Sequence, residues 1–211
     1  MSEISVLIRG AERLGVALEE SAARRLLTLL DELERWNRSF NLTAISARSQ
    51  MLTHHLLDSL SIAPLLQGPR IIDVGTGAGF PGLPLALVTP NSHFTLLDSN
   101  GKKVRFVAHA ARALGLQNVT AVHARAEQWR ADEGAFDTVV TRAFAPLPTL
   151  LEQVAGLCGA QTRVLAMKGR RLPEERAALP AGWIIEQDSE LEVPGLGEER
   201  HVLVLRLDSR P

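Results

Sequence analysis

The sequence predicts an α/β fold in which a seven-stranded, mostly parallel sheet with an antiparallel last strand follows an N-terminal helical extension. Three observations support this fold. Residues 1–67 show only the apolar spacing of helices. Over residues 68–211, short β-rich runs alternate with helical runs, which is typical of a parallel sheet covered by helices on both faces. The last two β-rich runs are joined by PGLGEE, which is too short for a helix, so these strands should pair antiparallel at one edge.

Two amphipathic segments form the main part of the predicted extension. In ALEESAARRLLTLLDELERWNRSF, apolar residues such as Leu26, Leu30 and Leu33 are three or four positions apart, and Glu19 and Glu20 precede them near the positive end of the helix dipole. The second segment is SQMLTHHLLDSLSIAPLL. We expect both helices to pack on the sheet domain.

The strands of the sheet domain are predicted, in order, at RIIDVG, HFTLLD, VTAVHA, FDTVVTRA, TRVLAMKG, WIIEQDSELEV and RHVLVLRL. Helices are predicted between them at PGLPLALVTP, GKKVRFVAHAARALG, LPTLLEQVAGLCG and PEERAALP. The third of these helices contains Cys158, which we expect to be a buried core residue. A single cysteine excludes an internal disulfide and a cysteine-based zinc site.

Charge and hydropathy bound the location and the partners. The N-terminus does not resemble a signal peptide, and no run of about eighteen apolar residues occurs, so we expect a cytoplasmic protein. The net charge of −1 is unevenly distributed: residues 100–171 carry eleven basic and five acidic side chains, whereas residues 172–211 carry four basic and nine acidic ones. This pattern is compatible with a polyanionic partner and equally with ordinary helix surfaces.

A glycine-rich loop follows the first strand, in IIDVGTGAGFPGLPLA. Gly77, Gly79 and Gly82 satisfy the dinucleotide-binding pattern G-x-G-x-x-G. In that pattern the first glycine closes the strand, whereas here the strand closes at Gly75. Two prolines also remove N–H groups from the region where a pyrophosphate needs donors. A nicotinamide oxidoreductase therefore stays only as the alternative.

The two acids that end the first and second strands suit a different ligand. The segment DVGTGAG followed by Asp98 resembles the class I S-adenosylmethionine-dependent methyltransferases, which have a Rossmann-like fold. Asp98 can accept both ribose hydroxyls, and Asp73 can accept from the amino group or from loop amides. Gly75, Gly77 and Gly79 leave room for the methionine moiety.

Further motifs narrow the resemblance to one family. NLTAI, HHLLDSL, DVGTGAGFPGLPLA, LLDSNGKKVRF, RAE, VTRAFAPL, MKG and GEERHVLV occur in this order from about residue 20 to residue 207. Together they closely resemble the RsmG family, also called GidB, whose members are bacterial enzymes that methylate N7 of a guanine in the decoding region of 16S ribosomal RNA. A non-catalytic RNA-binding assembly factor with the same fold is a third hypothesis, which the intact loop and both carboxylates disfavour.

The resemblance implies specific site residues. Cofactor contacts are expected at Gly75 and Phe80, at Ala126 and Glu127 beside the adenine, at Arg142, and at the ribose end with Asp98 and Ser99. RNA contacts are expected at basic residues on the ligand side of the sheet: Lys102, Lys103, Arg105, Arg125, Lys168, Arg170 and Arg171.

Arg142 is the first choice for positioning the substrate. Its guanidinium can touch the cofactor and donate to guanine O6 or a phosphate. The alternative is a salt bridge to Asp73 or Asp137. Guanine N7 carries a lone pair in the neutral base, so in-line transfer needs orientation rather than a strong general base. The segment after the fourth strand reads TRAFAP and lacks the Asn/Asp-Pro-Pro-aromatic signature of amine methylation.

The HHLLD segment allows a metal site to be considered, but no third ligand is evident and methyl transfer needs no metal. We therefore predict no metal. Asp58 is expected to fix a histidine tautomer, and the segment is expected to brace the helical extension against the glycine loop. Trp36 or Phe40 is a candidate for stacking on a flipped base. We expect a monomer whose partner is 16S ribosomal RNA or the small-subunit particle.

Overall fold

The computed structural model describes residues 2–130, 134–142, 145–169 and 173–208. Within these ranges it contains one seven-stranded sheet in the order β3-β2-β1-β4-β5-β7-β6. Strands β1 to β5 pair in parallel, and β7 is antiparallel to both of its neighbours. The predicted fold class is therefore confirmed. The strands are β1 Arg70–Val74, β2 His93–Asp98, β3 Val119–His123, β4 Phe136–Arg142, β5 Cys158–Lys168, β6 Trp183–Glu190 and β7 His201–Leu207.

Helices cover both faces of the sheet. Among the described residues they are α1 Glu3–Arg13, α2 Glu20–Phe40, α3 Arg48–Met51, α4 Asp58–Leu60, α5 Gly82–Val88, α6 Gly101–Ala113, α7 Leu147–Val154 and α8 Pro173–Ala177. Short 3-10 turns span Ala63–Leu65 and Ala155–Leu157. No helix in the described ranges is long and apolar enough to cross a membrane.

A π-helical turn, Leu52–Leu57, joins α3 to α4. There the Asp58 N–H donates to the carbonyl of Thr53, five residues back, instead of the carbonyl of His54, four residues back. Turns of this kind inside helices are rare and often lie at functional sites. The local register therefore marks the HHLLD segment for attention.

The N-terminal helices share a core with one face of the sheet. Leu7 of α1, Leu30 of α2 and Leu57 of the π-helical turn belong to the same buried cluster as Leu83 of α5 and Phe106 of α6. Burying such side chains contributes roughly 1.5–3 kcal/mol each. The extension over residues 1–67 is consequently held by the same apolar packing that holds α5 and α6. The opposite face of the sheet packs against α7.

The predicted position of Cys158 is wrong. Helix α7 ends at Val154, and Cys158 begins β5, where it pairs with Phe136 of β4. Its side chain is half-buried and its Sγ lies 3.3 Å from the Val154 carbonyl. Pairing with β4 starts the strand at Cys158, directly after the 3-10 turn Ala155–Leu157, whereas the apolar sequence alone assigned these residues to the helix. Burial raises the pKa of the Cys158 thiol to about 12, which disfavours the thiolate that a nucleophile needs.

Candidate active site

The glycine loop leaves β1 as the sequence predicts. Gly75 is the first residue beyond the strand, and the N–H groups of Gly75 and Thr76 both donate to the Leu97 carbonyl at the end of β2. Gly75, Gly77 and Gly79 have φ values of 70°, 61° and 85°, a region that favours glycine. The loop is therefore bare and tied to two neighbouring strand ends.

Asp73 lies beneath this loop and is fully buried. Its Oδ2 accepts hydrogen bonds from Thr76 Oγ1 at 2.7 Å and from the Gly82 N–H at 2.8 Å, so it holds the loop against the start of α5. The predicted contact with loop amides is thus present. Its Oδ1 is buried and has no hydrogen-bond partner among the described residues. Burial raises the pKa of this carboxyl to about 6, which an adjacent ammonium group would counteract.

Asp98 ends β2 and orders the other side of the loop. Its Oδ2 accepts from the Gly77 N–H at 2.9 Å and its Oδ1 from the Asn100 N–H at 2.7 Å. A carboxylate has about four acceptor positions, so each oxygen can accept a further hydroxyl. The carboxylate is therefore oriented by the backbone before any ligand arrives.

A first pocket of about 340 Å³ opens beside Asp98. It brings together five residues that the family resemblance assigns to the cofactor, namely Gly75, Asp98, Ser99, Ala126 and Glu127. The other lining residues are Leu97, Lys103, Ala124, Arg125 and Gln153. This size is typical of small-ligand sites.

Three of those lining residues were not assigned to the cofactor from the sequence. Lys103 and Arg125 were expected to contact RNA, yet both line the first pocket. Gln153 of α7 was not predicted at all, and its Oε1 is buried without a hydrogen-bond partner among the described residues. Its position in an apolar helical segment gave no signal, because only the folded chain brings α7 beside the loop after β3.

Phe80 and Arg142 lie on the other side of the loop. The Phe80 ring is buried and stacks on His55 with the ring centroids 4.7 Å apart. The Arg142 guanidinium carbon is 5.8 Å from the Phe80 centroid. This stacking braces the helical extension against the glycine loop, as the sequence predicts for the HHLLD segment.

The expected role of Asp58 is wrong, and the alternative salt bridge of Arg142 to Asp73 or Asp137 is absent from the described contacts. Arg142 Nη1 donates to Asp58 Oδ2 and to the His54 carbonyl, each at 2.8 Å, rather than pairing with Asp73 or Asp137. Asp58 therefore holds arginine and does not fix a histidine tautomer. His55 Nε2 instead lies 3.1 Å from Thr43 Oγ1. The sequence could not reveal the π-helical turn that releases the His54 carbonyl from its α-helical donor.

A second pocket of about 320 Å³ lies beyond the carboxyl ends of β4 and β5. Arg142 and Met167 face each other there in the strand register. The pocket is lined by Ile45, His54, His55, Asp58, Arg142, Met167, Lys168, Gly169 and Arg200. The first pocket lies at the ends of β1 and β2, so the two pockets flank the β1–β4 junction where the strand order reverses. Ligands of open α/β sheets bind at such a switch point.

The basic residues predicted for RNA occupy different settings. Lys102 and Arg105 are exposed on α6, and the Arg125 side chain is 68% exposed. The Lys168 side chain is only 14% exposed, and its Nζ pairs with Glu175 at 2.8 Å. Arg170 and Arg171 lie outside the described residues.

The fold and the first pocket together define a Rossmann-like S-adenosylmethionine-dependent methyltransferase. A solved structure of a SAM dependent methyltransferase from Aquifex aeolicus matches with a TM-score of 0.61, covering 79% of this chain and 97% of that chain at 18% identity. At this identity the match concerns the fold.

The sequence comparisons identify the family. The family model described as rRNA small subunit methyltransferase G matches residues 22–204, and the chain belongs to this family. A protein of Alkalilimnicola ehrlichii named ribosomal RNA small subunit methyltransferase G is 50% identical over 200 residues, which are 95% of this chain and 90% of that protein. A protein of the same name from Pseudomonas aeruginosa is 47% identical over 201 residues, or 95% of this chain and 94% of that protein. Neither the oxidoreductase alternative nor the assembly-factor alternative finds support here.

Proposed function

We propose that the chain transfers a methyl group from S-adenosylmethionine to N7 of a guanine in 16S ribosomal RNA, in the decoding region of the small subunit. The observation that carries this function is the pair of strand-end carboxylates around a bare glycine loop, in a chain of this family. When bound, the cofactor supplies an electrophilic methyl group.

The first pocket and the adjoining glycine loop fit the cofactor in three places. Asp98, already oriented by two backbone N–H groups, is placed to accept the ribose hydroxyls. The segment Ala126–Glu127 lines the pocket where the adenine is expected. Asp73 Oδ1, buried and without a described partner, is an acceptor for the cofactor's amino group directly or through water. The glycines from Gly75 to Gly79 leave space for the methionine moiety.

Lys103 is a further residue that we assign to the cofactor. It lines the first pocket, and its Nζ lies 4.0 Å from the position that a Cβ on Gly77 would take. An ammonium group at that place suits a cofactor hydroxyl or carboxylate better than a distant phosphate. We therefore move Lys103 from the RNA-binding set to the cofactor-binding set.

The residues around the second pocket fit a reaction without a strong general base. Burial, with the charge of Arg142 adding to it, lowers the pKa of His55 to about 4, so this imidazole is neutral at physiological pH. Neutral guanine N7 already carries the attacking lone pair. What the chain contributes is orientation, with Arg142 as the group that positions the base, and removal of water from the reacting atoms.

The RNA is held by basic side chains around the pockets. Lys102, Arg105 and Arg125 are exposed and can meet phosphates, whereas Lys168 is paired with Glu175 and contributes less. The protein acts as a monomer in the cytoplasm, where its ribosomal substrate is found.

Chemical mapping of 16S RNA tests this function. Borohydride and aniline treatment cleaves RNA at 7-methylguanosine, and reverse transcription then stops there. RNA from cells with the gene should give a stop at one decoding-region guanine, and RNA from cells without the gene should not. Restoring the gene with Asp98→Asn should leave the stop weak. An identical pattern with and without the gene would contradict the proposed reaction.

A further inference from the structure

We propose that the second pocket binds the acceptor guanine and that Asp58 is a positioning residue, whose carboxylate holds the guanidinium groups of Arg142 and Arg200 at this pocket. This inference rests on the proposed function and assigns a place to the substrate base. The sequence predicted Arg142 as a donor to guanine O6, but it assigned no pocket to the base and no role to Asp58 or Arg200 in holding it.

The location of the second pocket suits the acceptor. It lies at the ends of β4 and β5, while the first pocket lies at the ends of β1 and β2. The two pockets thus lie on either side of the β1–β4 switch point, so that a methyl donor along the glycine loop can meet a base in the second pocket. The volume of about 320 Å³ accommodates one nucleotide base. Ile45 and Met167 provide apolar walls for a planar ring.

Asp58 organises the charged side of this pocket. Its side chain is only 2% exposed, with Oδ2 2.8 Å from Arg142 Nη1 and Oδ1 3.3 Å from Arg200 Nε. The second pair is within ion-pair distance without hydrogen-bond geometry. Both guanidinium groups belong to side chains that are about four-fifths buried, at 21% and 18% exposure. One carboxylate thus fixes two cations that come from different parts of the chain.

The π-helical turn completes this arrangement. Because the Asp58 N–H donates to Thr53, the His54 carbonyl is open to Arg142 Nη1. Asp58 and His54 together hold Nη1, and no partner within the described residues is recorded for Nη2. The free amino group of a clamped guanidinium is a directed donor.

A directed donor here selects guanine over adenine. Guanine presents the acceptor O6 next to N7, whereas adenine presents an amino donor at the same position. A hydrogen bond from Arg142 to O6 leaves the N7 lone pair open for attack and turns that edge of the base towards the cofactor. Other groups at the pocket rim are already paired: Arg200 Nη2 lies 3.2 Å from Glu198, and Lys168 pairs with Glu175.

The test changes one atom on each partner. Small subunits are reconstituted with 16S RNA that carries either guanine or 2-aminopurine at the position that the wild-type protein methylates. 2-Aminopurine keeps N7 and lacks O6. Single-turnover methylation is then measured for the wild type, for Asp58→Asn and for a control, Asp137→Asn. The control removes the charge of Asp137, which lies at the opposite end of β4 from Arg142. In the described structure the Asp137 carboxylate accepts only the Arg70 N–H.

We expect the wild type and Asp137→Asn to methylate guanine about 100-fold faster than 2-aminopurine, and Asp58→Asn less than about 10-fold faster. The rate of Asp58→Asn on guanine should be about 100-fold below that of the wild type. Calorimetry with S-adenosylhomocysteine should give one affinity for all three proteins. An unchanged preference for guanine in Asp58→Asn overturns the inference, whereas a wild-type protein that methylates no guanine N7 overturns the proposed function itself. Should Asp58→Asn fail to fold, Arg200→Gln replaces it: a fall of about fivefold or more in the preference supports the inference, and an unchanged preference overturns it.

Discussion

Replacement of Asp98 allows the most quantitative test of the cofactor site. Each carboxylate oxygen already accepts one backbone N–H, from Gly77 or Asn100, which leaves a further lone pair on each for the ribose hydroxyls. Hydrogen bonds to a charged group contribute about 1.5–3 kcal/mol each. Because the amide of Asn keeps one acceptor oxygen, Asp98→Asn should lose one of these two bonds. We therefore expect it to weaken binding of S-adenosylhomocysteine by about 1.5–3 kcal/mol, or roughly 10- to 140-fold in Kd, measured by titration calorimetry.

Weaker binding alone would not separate a lost ribose contact from a disordered loop, because Asp98 also holds Gly77. Titration of the wild type and the variant with S-adenosylhomocysteine and its 2′-deoxy analogue closes a thermodynamic cycle. Loss of the 2′-hydroxyl should cost the wild type about 1.5–3 kcal/mol and the variant almost nothing. Asn100→Ala removes the cap of α6 but keeps the carboxylate, so its response to the deoxy ligand should match the wild type. A coupling energy near zero would refute the ribose assignment.

Three further predictions follow from the same geometry. Because burial raises the pKa of Asp73 to about 6, the affinity for S-adenosylhomocysteine should fall by up to tenfold per pH unit below about pH 6, since protonation removes the charge that attracts the ammonium group. In calorimetry the affinity of Asp73→Asn should not depend on pH over this range, and a retained pH dependence would contradict the assignment. The double variant Lys102→Glu/Arg105→Glu should reduce the slope of log K against log salt for binding to 16S RNA by about one to two, whereas Arg112→Glu at the far end of the same helix should not change it. Equal slopes for the wild type and both variants would show that α6 is not part of the RNA-binding surface. In Gly82→Ala the new methyl would overlap a methyl group of Leu96 and lie 2.8 Å from Asp73 Oδ2, so urea denaturation should show the free energy of unfolding lowered by about 1–3 kcal/mol. A decrease under about 0.5 kcal/mol would contradict this packing.

The sheet was predictable because its strands are short apolar runs separated by clear turn residues. The antiparallel edge followed from the length of PGLGEE alone. The boundary between α7 and β5 was not predictable, because apolar residues continue past Val154 in LPTLLEQVAGLCG and pairing of Cys158 with β4 decides where the strand begins.

Some residues of the candidate site were also predictable from the sequence, and others were not. Gly75 and Asp98 were predictable because a loop and a strand end place them together in any sheet of this order. The contacts of Asp58 were not predictable, because they depend on a π-helical turn and on Arg200, which is distant in sequence. Gln153 was equally hidden in an apolar helix. Contacts between residues that are far apart in the chain leave no periodic pattern in the sequence.

A crystal structure with S-adenosylhomocysteine tests the central claim most directly. We expect adenine beside Ala126, ribose hydroxyls within hydrogen-bond distance of the Asp98 carboxylate, and a sulfur atom at the glycine loop facing Arg142 and the second pocket. The same compound bound in another cleft, or with its ribose turned away from Asp98, would contradict it.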